Sequence, residues 1–430
     1  VSVQRTLFRR LSVGVTDQLL SSGSNFLVLL LGARYLNSAG FGAFSLALLT
    51  YTFTLGIVRA LCSEALLVRG GDGGAEHWPR VRSAVSATFW VGVLAGFACM
   101  AVALLASGST ARCFAVLALA IPGLLIQDTL RYAAFARAEP RAALWSDLFW
   151  LVGLIVVMIA LRFTITFTAP WLLAAFVVPG VLAGLGQATI ERTLPEVAQG
   201  MSWITRNGDL SGRYALDFLS GAGASQVAAY VLVVVSGVAA LGSLRGAQTL
   251  FGPVNIVLTG VFTVLVPEGR HAVARSKASL TRLCVVASAV LAIGSAALLG
   301  IFLLLSQDQG QMILGVTWNG ARSIIVPVGV AAIAGGALAG ASAGLRSLQA
   351  ASRILQIRLL IVPTTILLPT IGAIVGDAKG IAWGIAVSVW WNVIWYWWGY
   401  RRELAVYDPA AHVEAVEPDT GEPRGDLRPS

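Results

Sequence analysis

The placement of its arginines constrains this chain more than any other feature. Twelve apolar stretches, each close to the ~20 residues that cross a bilayer, read as 13–34, 42–67, 84–106, 112–132, 143–162, 169–190, 214–237, 246–267, 282–305, 322–344, 357–376 and 380–400. With the chain starting in the cytoplasm, 23 of its 30 basic residues fall on the cytoplasmic side, in clusters such as Arg5, Arg9 and Arg10 or Arg270, Arg275, Lys277 and Arg282. Six lie opposite, one per loop: Arg34, Arg112, Arg162, Arg245, Arg322 and Lys379. Arg59 alone falls inside a stretch. Short loops that obey the positive-inside rule this regularly set both span number and orientation. The expectation is a multi-pass protein of a bacterial inner membrane with both termini in the cytoplasm.

Apolar residues make up 57% of the chain, charged residues 12%, and the mean hydropathy is +0.79. Soluble domains carry roughly 25% charge, so lipid is the main solvent. The net charge of +9 follows from the anchoring arginines, which favour anionic lipid headgroups; nucleic acid is not implied. Cys62, Cys99, Cys113 and Cys284 have no metal-ligand spacing and read as small buried thiols. The loop from Arg69 to Arg82 is Gly-rich but lacks the Gly-Lys-Ser/Thr of a phosphate loop. No metal or cofactor is expected. The apolar run after Arg10 continues to about Leu31, too long for a cleaved signal, so the first span is expected to be its own insertion signal.

The polar connection from Glu191 to Arg213 divides the spans six and six, giving bundles at 1–200 and 201–402. The tail 403–430, acidic and Pro-rich, is expected to be disordered. The halves echo one another at an offset of 200: Asp17 with Asp217, Gly23 with Gly223, Gly42 with Gly242. Six spans per half insert the same way up, and such parallel repeats are related by an axis along the membrane normal. The fold expected is all-α, with twelve transmembrane helices in two pseudo-symmetric six-helix bundles. Five tryptophans close the last span (Trp390, Trp391, Trp395, Trp397, Trp398), read as an interfacial anchor with an aromatic ligand site as the alternative.

At Asp17–Glu64 the sequence resembles a known family. The polar face Asp17–Asn25, the pair Ala33-Arg34 and the turn Gly40-Phe41-Gly42 resemble the opening hairpin of Wzx-like polysaccharide flippases. These belong to the multidrug/oligosaccharidyl-lipid/polysaccharide (MOP) exporters, with the MATE extruders and the MurJ lipid II flippases. Gly376–Ser388 resembles the turn before that family's twelfth helix. The resemblance implies two bundles in a V that open alternately to either side. It also implies movement of a polyprenyl-pyrophosphate-linked oligosaccharide to the outer leaflet for cell-surface polysaccharide synthesis, beside a polymerase and glycosyltransferases, by a monomer.

Several side chains are candidates for that work. Arg59 lies ten residues, about 15 Å, from Arg69, and a charge at that depth costs at least ~2.5–3.5 kcal/mol without water or a partner. It is expected to face the central cavity and bind pyrophosphate through its planar fork; an ion pair with Glu64 or another helix is the alternative. Arg34 could meet the headgroup at the outer end of span 1, and Asn25 belongs to a polar stripe there. Arg245, read as an outer-loop residue at the start of span 8, is a weaker candidate. Asp17, Asp217 and Glu64 could couple transport to a proton or Na⁺; helix-terminal acids at a wet interface are the alternative. Asp128 and Asp147 are expected to pair with the arginines of the Arg131–Arg141 loop. The functional alternatives are a cation-coupled multidrug extruder and, less favoured, a membrane glycosyltransferase, for which the outer loops offer only Asp308 and Asp377. The chain is not expected to be an enzyme.

Overall fold

The computed structural model describes residues 23–69, 77–137, 139–164, 167–196 and 199–407. Among these residues there are helices and short connections but no strands. Helix α1 (23–35) meets α2 through a tight turn closed by Asn37, whose side chain accepts a hydrogen bond from the Gly40 amide at 2.8 Å. That is an N-cap. Helix α2 runs over Ser38–Val58, passes through one π-helical turn (Arg59–Ser63) and ends as Glu64–Arg69. Helices α3 (His77–Leu105), α4 (Gly108–Ala136), α5 (Pro140–Thr164) and α6 (Ala169–Ile190) follow. Each has at least 22 residues, enough at 1.5 Å per residue to cross a ~30 Å hydrocarbon core.

The second half begins earlier than the sequence suggests. Gly200–Phe218 is helical and leads through another π turn (Leu219–Gly223) into Ala224–Leu250. The connection from Glu191, expected to be loop as far as Arg213, is therefore helix from Gly200 onward. Its polar composition hid an apolar edge: Trp203 is 4% exposed. Trp203 Nε1 and Ser211 Oγ both donate to the Leu61 carbonyl in the π turn of α2, at 3.3 and 2.8 Å.

Ala224–Leu250 is not a single rod. Gly237 has φ +80° and ψ 171°, open to glycine because no Cβ clashes there. Residues at nearly matching distances on either side of it, Ser225 and Gln248 or Leu232 and Leu241, line a common cavity. In an unbroken helix Ser225 and Gln248 would stand about 34 Å apart. The chain reverses at Gly237, giving α7 (200–236) and α8 (238–275), the latter broken once at Phe251 before Gly252–Arg275. Helix α9 (Lys277–Leu304), a short α10 (Gln307–Leu314) capped by Ser306, and α11 (Trp318–Ser347) come next. Ala351–Val406 also reverses, at Gly376 and Asp377, into α12 (351–375) and α13 (378–406). A Cβ at Gly384 would lie 2.3 Å from the Leu368 carbonyl, and one at Gly372 2.1 Å from the Gly380 carbonyl, so the two arms touch backbone to backbone.

Among the described residues nine helical lines are long and apolar enough to cross a membrane. Two of them contain the reversals just described, which makes eleven crossings among the described residues; of the expected first span only α1 (23–35) is described, and its remainder lies outside the described residues. The protein is an all-α, multi-pass membrane protein. Most of the expected tail lies outside the described residues, though α13 continues into it as far as Val406. The four cysteines are buried and free.

The echo at an offset of 200 has a physical counterpart. A Cβ at Gly42 would stand 2.0 Å from the Val238 carbonyl. One at Gly242 would stand 2.2 Å from the Ser38 carbonyl and 3.0 Å from the Gly42 nitrogen. Position 42 meets 238 as 242 meets 38, the reciprocity that a two-fold relation produces. The N-terminal ends of α2 and α8 are thereby closed on each other.

Candidate functional site

Two cavities, of about 560 and 550 Å³, lie on either side of α8 and share Leu244, Arg245, Gln248 and Ile385. The first opens between α1, α8, α11 and α13, with Asn25, Phe26 and Asn255 in its wall. The second lies between α2, α7, α8, α12 and α13 and is lined by Thr52, Gln226, Thr365, Ser388 and Asn392 among others. Among the described residues, Arg245 is the sole charged one in either lining, and none of those lining residues is a carboxylate. Its guanidinium donates to Gln248 Oε1 at 3.2 Å. No ion pair is made to it among the described residues.

Arg245 therefore differs from its sequence reading. Placed in an outer loop by hydropathy, it lies eight residues along α8 from the reversal at Gly237, about 12 Å deep and close to the bilayer centre. The segment 238–250 is helix, but its Arg, Gln and Thr residues lower its hydropathy below that of a span. The repeat carries the missing signal. Gly42 lies inside α2, which starts at Ser38, so Gly242 should lie inside a helix that starts near Val238.

Arg59, expected to face the central cavity, lines neither of these two. It occupies the first position of the π turn in α2, and its fork grips Asp128 of α4: Nε to Oδ2 at 2.8 Å and Nη2 to Oδ1 at 2.7 Å. The network continues inward. Arg131 lies 3.8 Å from Asp128 and 3.3 Å from Asp147 of α5, and Gln127 donates to Asp147 and to Ser146, both at 3.0 Å. Asp128 and Asp147 are almost fully buried. Two arginines and two aspartates make a neutral cluster that ties α2, α4 and α5 together, so the pairing alternative describes Arg59 better than an open cavity does. The expected pairing of Asp128 and Asp147 with Arg131 is present.

The remaining candidates are scattered. Arg34 is exposed at the C-terminal end of α1, with its guanidinium 5.8 Å from the Tyr35 ring centroid. Asn25 lines the first cavity. Asp217 is exposed and ion-paired with Arg358 of α12, while Glu64 is half-buried at the start of the last stretch of α2. Asp17 lies outside the described residues. The structure thus brings Asn25 into the neighbourhood of Arg245 and leaves Asp217 and Glu64 outside both cavities.

The sequence matches no protein-family model and no curated protein. Solved structures do resemble the fold. An inward-facing multidrug resistance MATE family transporter of the MOP superfamily superposes with a TM-score of 0.68 at 14% identity, covering 95% of this chain and 99% of that one. The lipid II flippase MurJ, in an inward closed conformation, gives 0.66 at 11% identity, covering 91% and 89%. This chain therefore shares the fold of these two transporters. A further MOP transporter from Pyrococcus furiosus, for which a reversed binding-pocket polarity has been taken to suggest a different function, gives 0.54 at 15% identity, covering 93% and 95%.

Proposed function

We propose that this MOP-fold protein is a flippase for polyprenyl-pyrophosphate-linked oligosaccharides, acting by alternating access between bundles 1–200 and 201–402 of a bacterial inner membrane, with both termini in the cytoplasm. The observation that carries the reading is Arg245, a cation deep in the membrane shared by two cavities whose described lining residues include no carboxylate. An unpaired guanidinium at that depth is unfavourable by at least ~2.5–3.5 kcal/mol. An anionic headgroup arriving there offsets that cost through charge-assisted, bidentate hydrogen bonds. A cationic drug would meet repulsion and no counter-charge, which weighs against the extruder alternative. Closure of the outer ends at Gly42 and Gly242 supports a state that loads from the cytoplasmic side. The partners that fit are glycosyltransferases that build the substrate and a polymerase that receives it; a monomer suffices.

The test is lipid translocation in proteoliposomes loaded with a polyprenyl-pyrophosphate oligosaccharide, read as exposure to an outside glycosidase. Arg245→Gln should lower the rate at least tenfold, with Arg245→Lys intermediate. An unchanged rate in Arg245→Gln overturns the anion-binding role.

A further inference from the structure

We infer that the second cavity is a recognition site for a neutral, hydroxyl-rich sugar, separate from the anion site at Arg245. The argument starts from polar atoms that have no partner. Gln226 Oε1, Ser388 Oγ and Asn392 Oδ1 are each shielded from solvent and make no hydrogen bond, and all three residues line this one cavity. Ser388 is 3% exposed. A buried polar atom left unsatisfied costs about 1–3 kcal/mol, and such atoms are rare enough in native folds to call for an explanation. Three residues around one cavity of about 550 Å³, within the size range of small-ligand sites, thus carry acceptors that gain partners when their side chains turn toward a donor in the cavity.

The chemistry of those donors follows from the lining. The amide oxygens accept hydrogen bonds, and a serine hydroxyl both donates and accepts. Thr52, Ser225 and Thr365 add further hydroxyls, while Leu49, Leu232 and Pro369 supply flat apolar surface. With no carboxylate among the described residues of the wall, a cation finds no counter-charge there. With a single arginine at the rim, an acid group has its partner at Arg245, outside the Gln226, Ser388 and Asn392 cluster. Vicinal hydroxyls of an uncharged sugar ring donate to the amides, accept from Ser388 and lay their C–H faces on the apolar wall. Because Arg245 and Gln248 belong to both cavities, a sugar held here stands next to a phosphate held there. The lipid linkage rests on the flippase reading; the sugar contact does not.

The experiment uses the full chain in nanodiscs with Ser225→Cys as a reporter in the second cavity and Asn255→Cys in the first. The native cysteines are buried and give little background to N-ethylmaleimide. The probes are methyl glycosides of a neutral hexose, a 6-deoxyhexose and an N-acetylhexosamine, a methyl glucuronide, and inorganic pyrophosphate. At least one neutral glycoside should slow alkylation at Ser225→Cys fivefold or more, and adding Asn392→Leu or Gln226→Leu should abolish the slowing. Those variants should keep the pyrophosphate response at Asn255→Cys, which shows that they remain folded. If no neutral glycoside protects Ser225→Cys, or if protection survives both Leu variants, the sugar site is overturned. Equal or better protection by the glucuronide overturns its neutral character. Pyrophosphate protection that is absent, or indifferent to Arg245→Gln, overturns the anion reading alone and leaves the sugar site standing.

Discussion

Arg59 and Arg245 show how the same side chain is used in two opposite ways. Arg59 is half of a bidentate pair with a buried aspartate, and removing it leaves Asp128 facing only a distant Arg131. Breaking a buried pair from one side costs about 3–5 kcal/mol, and the partial exposure of Arg59 puts the cost near the lower figure. Arg59→Ala should therefore lower the thermal unfolding temperature and the yield of inserted protein; full stability with selective loss of transport would contradict the pairing role. Arg245→Gln should do the reverse, leaving stability equal or higher while transport falls. Sequence alone set Arg59 above Arg245, whereas the structure pairs Arg59 with Asp128 and puts Arg245 in the lining of both cavities. Arg59 stood out because its flanks are apolar, and its partner is 69 residues away on α4, beyond the reach of any local pattern. The acids of the Arg131–Arg141 loop were legible because their partners lie within a few turns. Gln226, Ser388 and Asn392 carry no local signature at all, since only the reversals at Gly237 and Gly376 bring α7, α8, α12 and α13 around one space.

The elements themselves were legible wherever a span is uniformly apolar, as in α6, whose expected and observed limits coincide at 169–190. They failed where a helix contains polar residues because it lines a cavity or lies on the surface, as in 200–213 and 238–246. Glycines decide how closely two of these elements approach. At Gly42 and Gly242 a side chain would run into backbone rather than into a movable side chain, so neither partner can yield without the helices separating. Gly42→Leu and Gly242→Leu should each hold the outer ends of α2 and α8 apart, raising the labelling of outer-end cysteines from outside and halting transport while insertion continues. Reciprocity makes the two phenotypes alike, and the double variant should add little to either single one. A Gly42→Leu protein that labels and transports like the parent would show that this contact is not a closure.

At the scale of the molecule, one uncompensated cation at the membrane centre has an electrical consequence. The described residues that line the two cavities carry a charge of +1, from Arg245. Under the proposed function, a pyrophosphate diester with two ionised oxygens turns that into −1. A voltage negative inside then drives the loaded carrier outward and draws the empty one back, with ~2.3 kcal/mol available per charge and per 100 mV crossed. Clamping the potential to zero with valinomycin and K⁺ at fixed pH should stop turnover, whereas dissipating the pH gradient alone should leave it running. The opposite pattern would return the work to ion coupling at an acid such as Asp217. A single guanidinium would then serve as receptor and gating charge at once, and the direction of traffic would be set by the battery of the cell rather than by a co-transported ion.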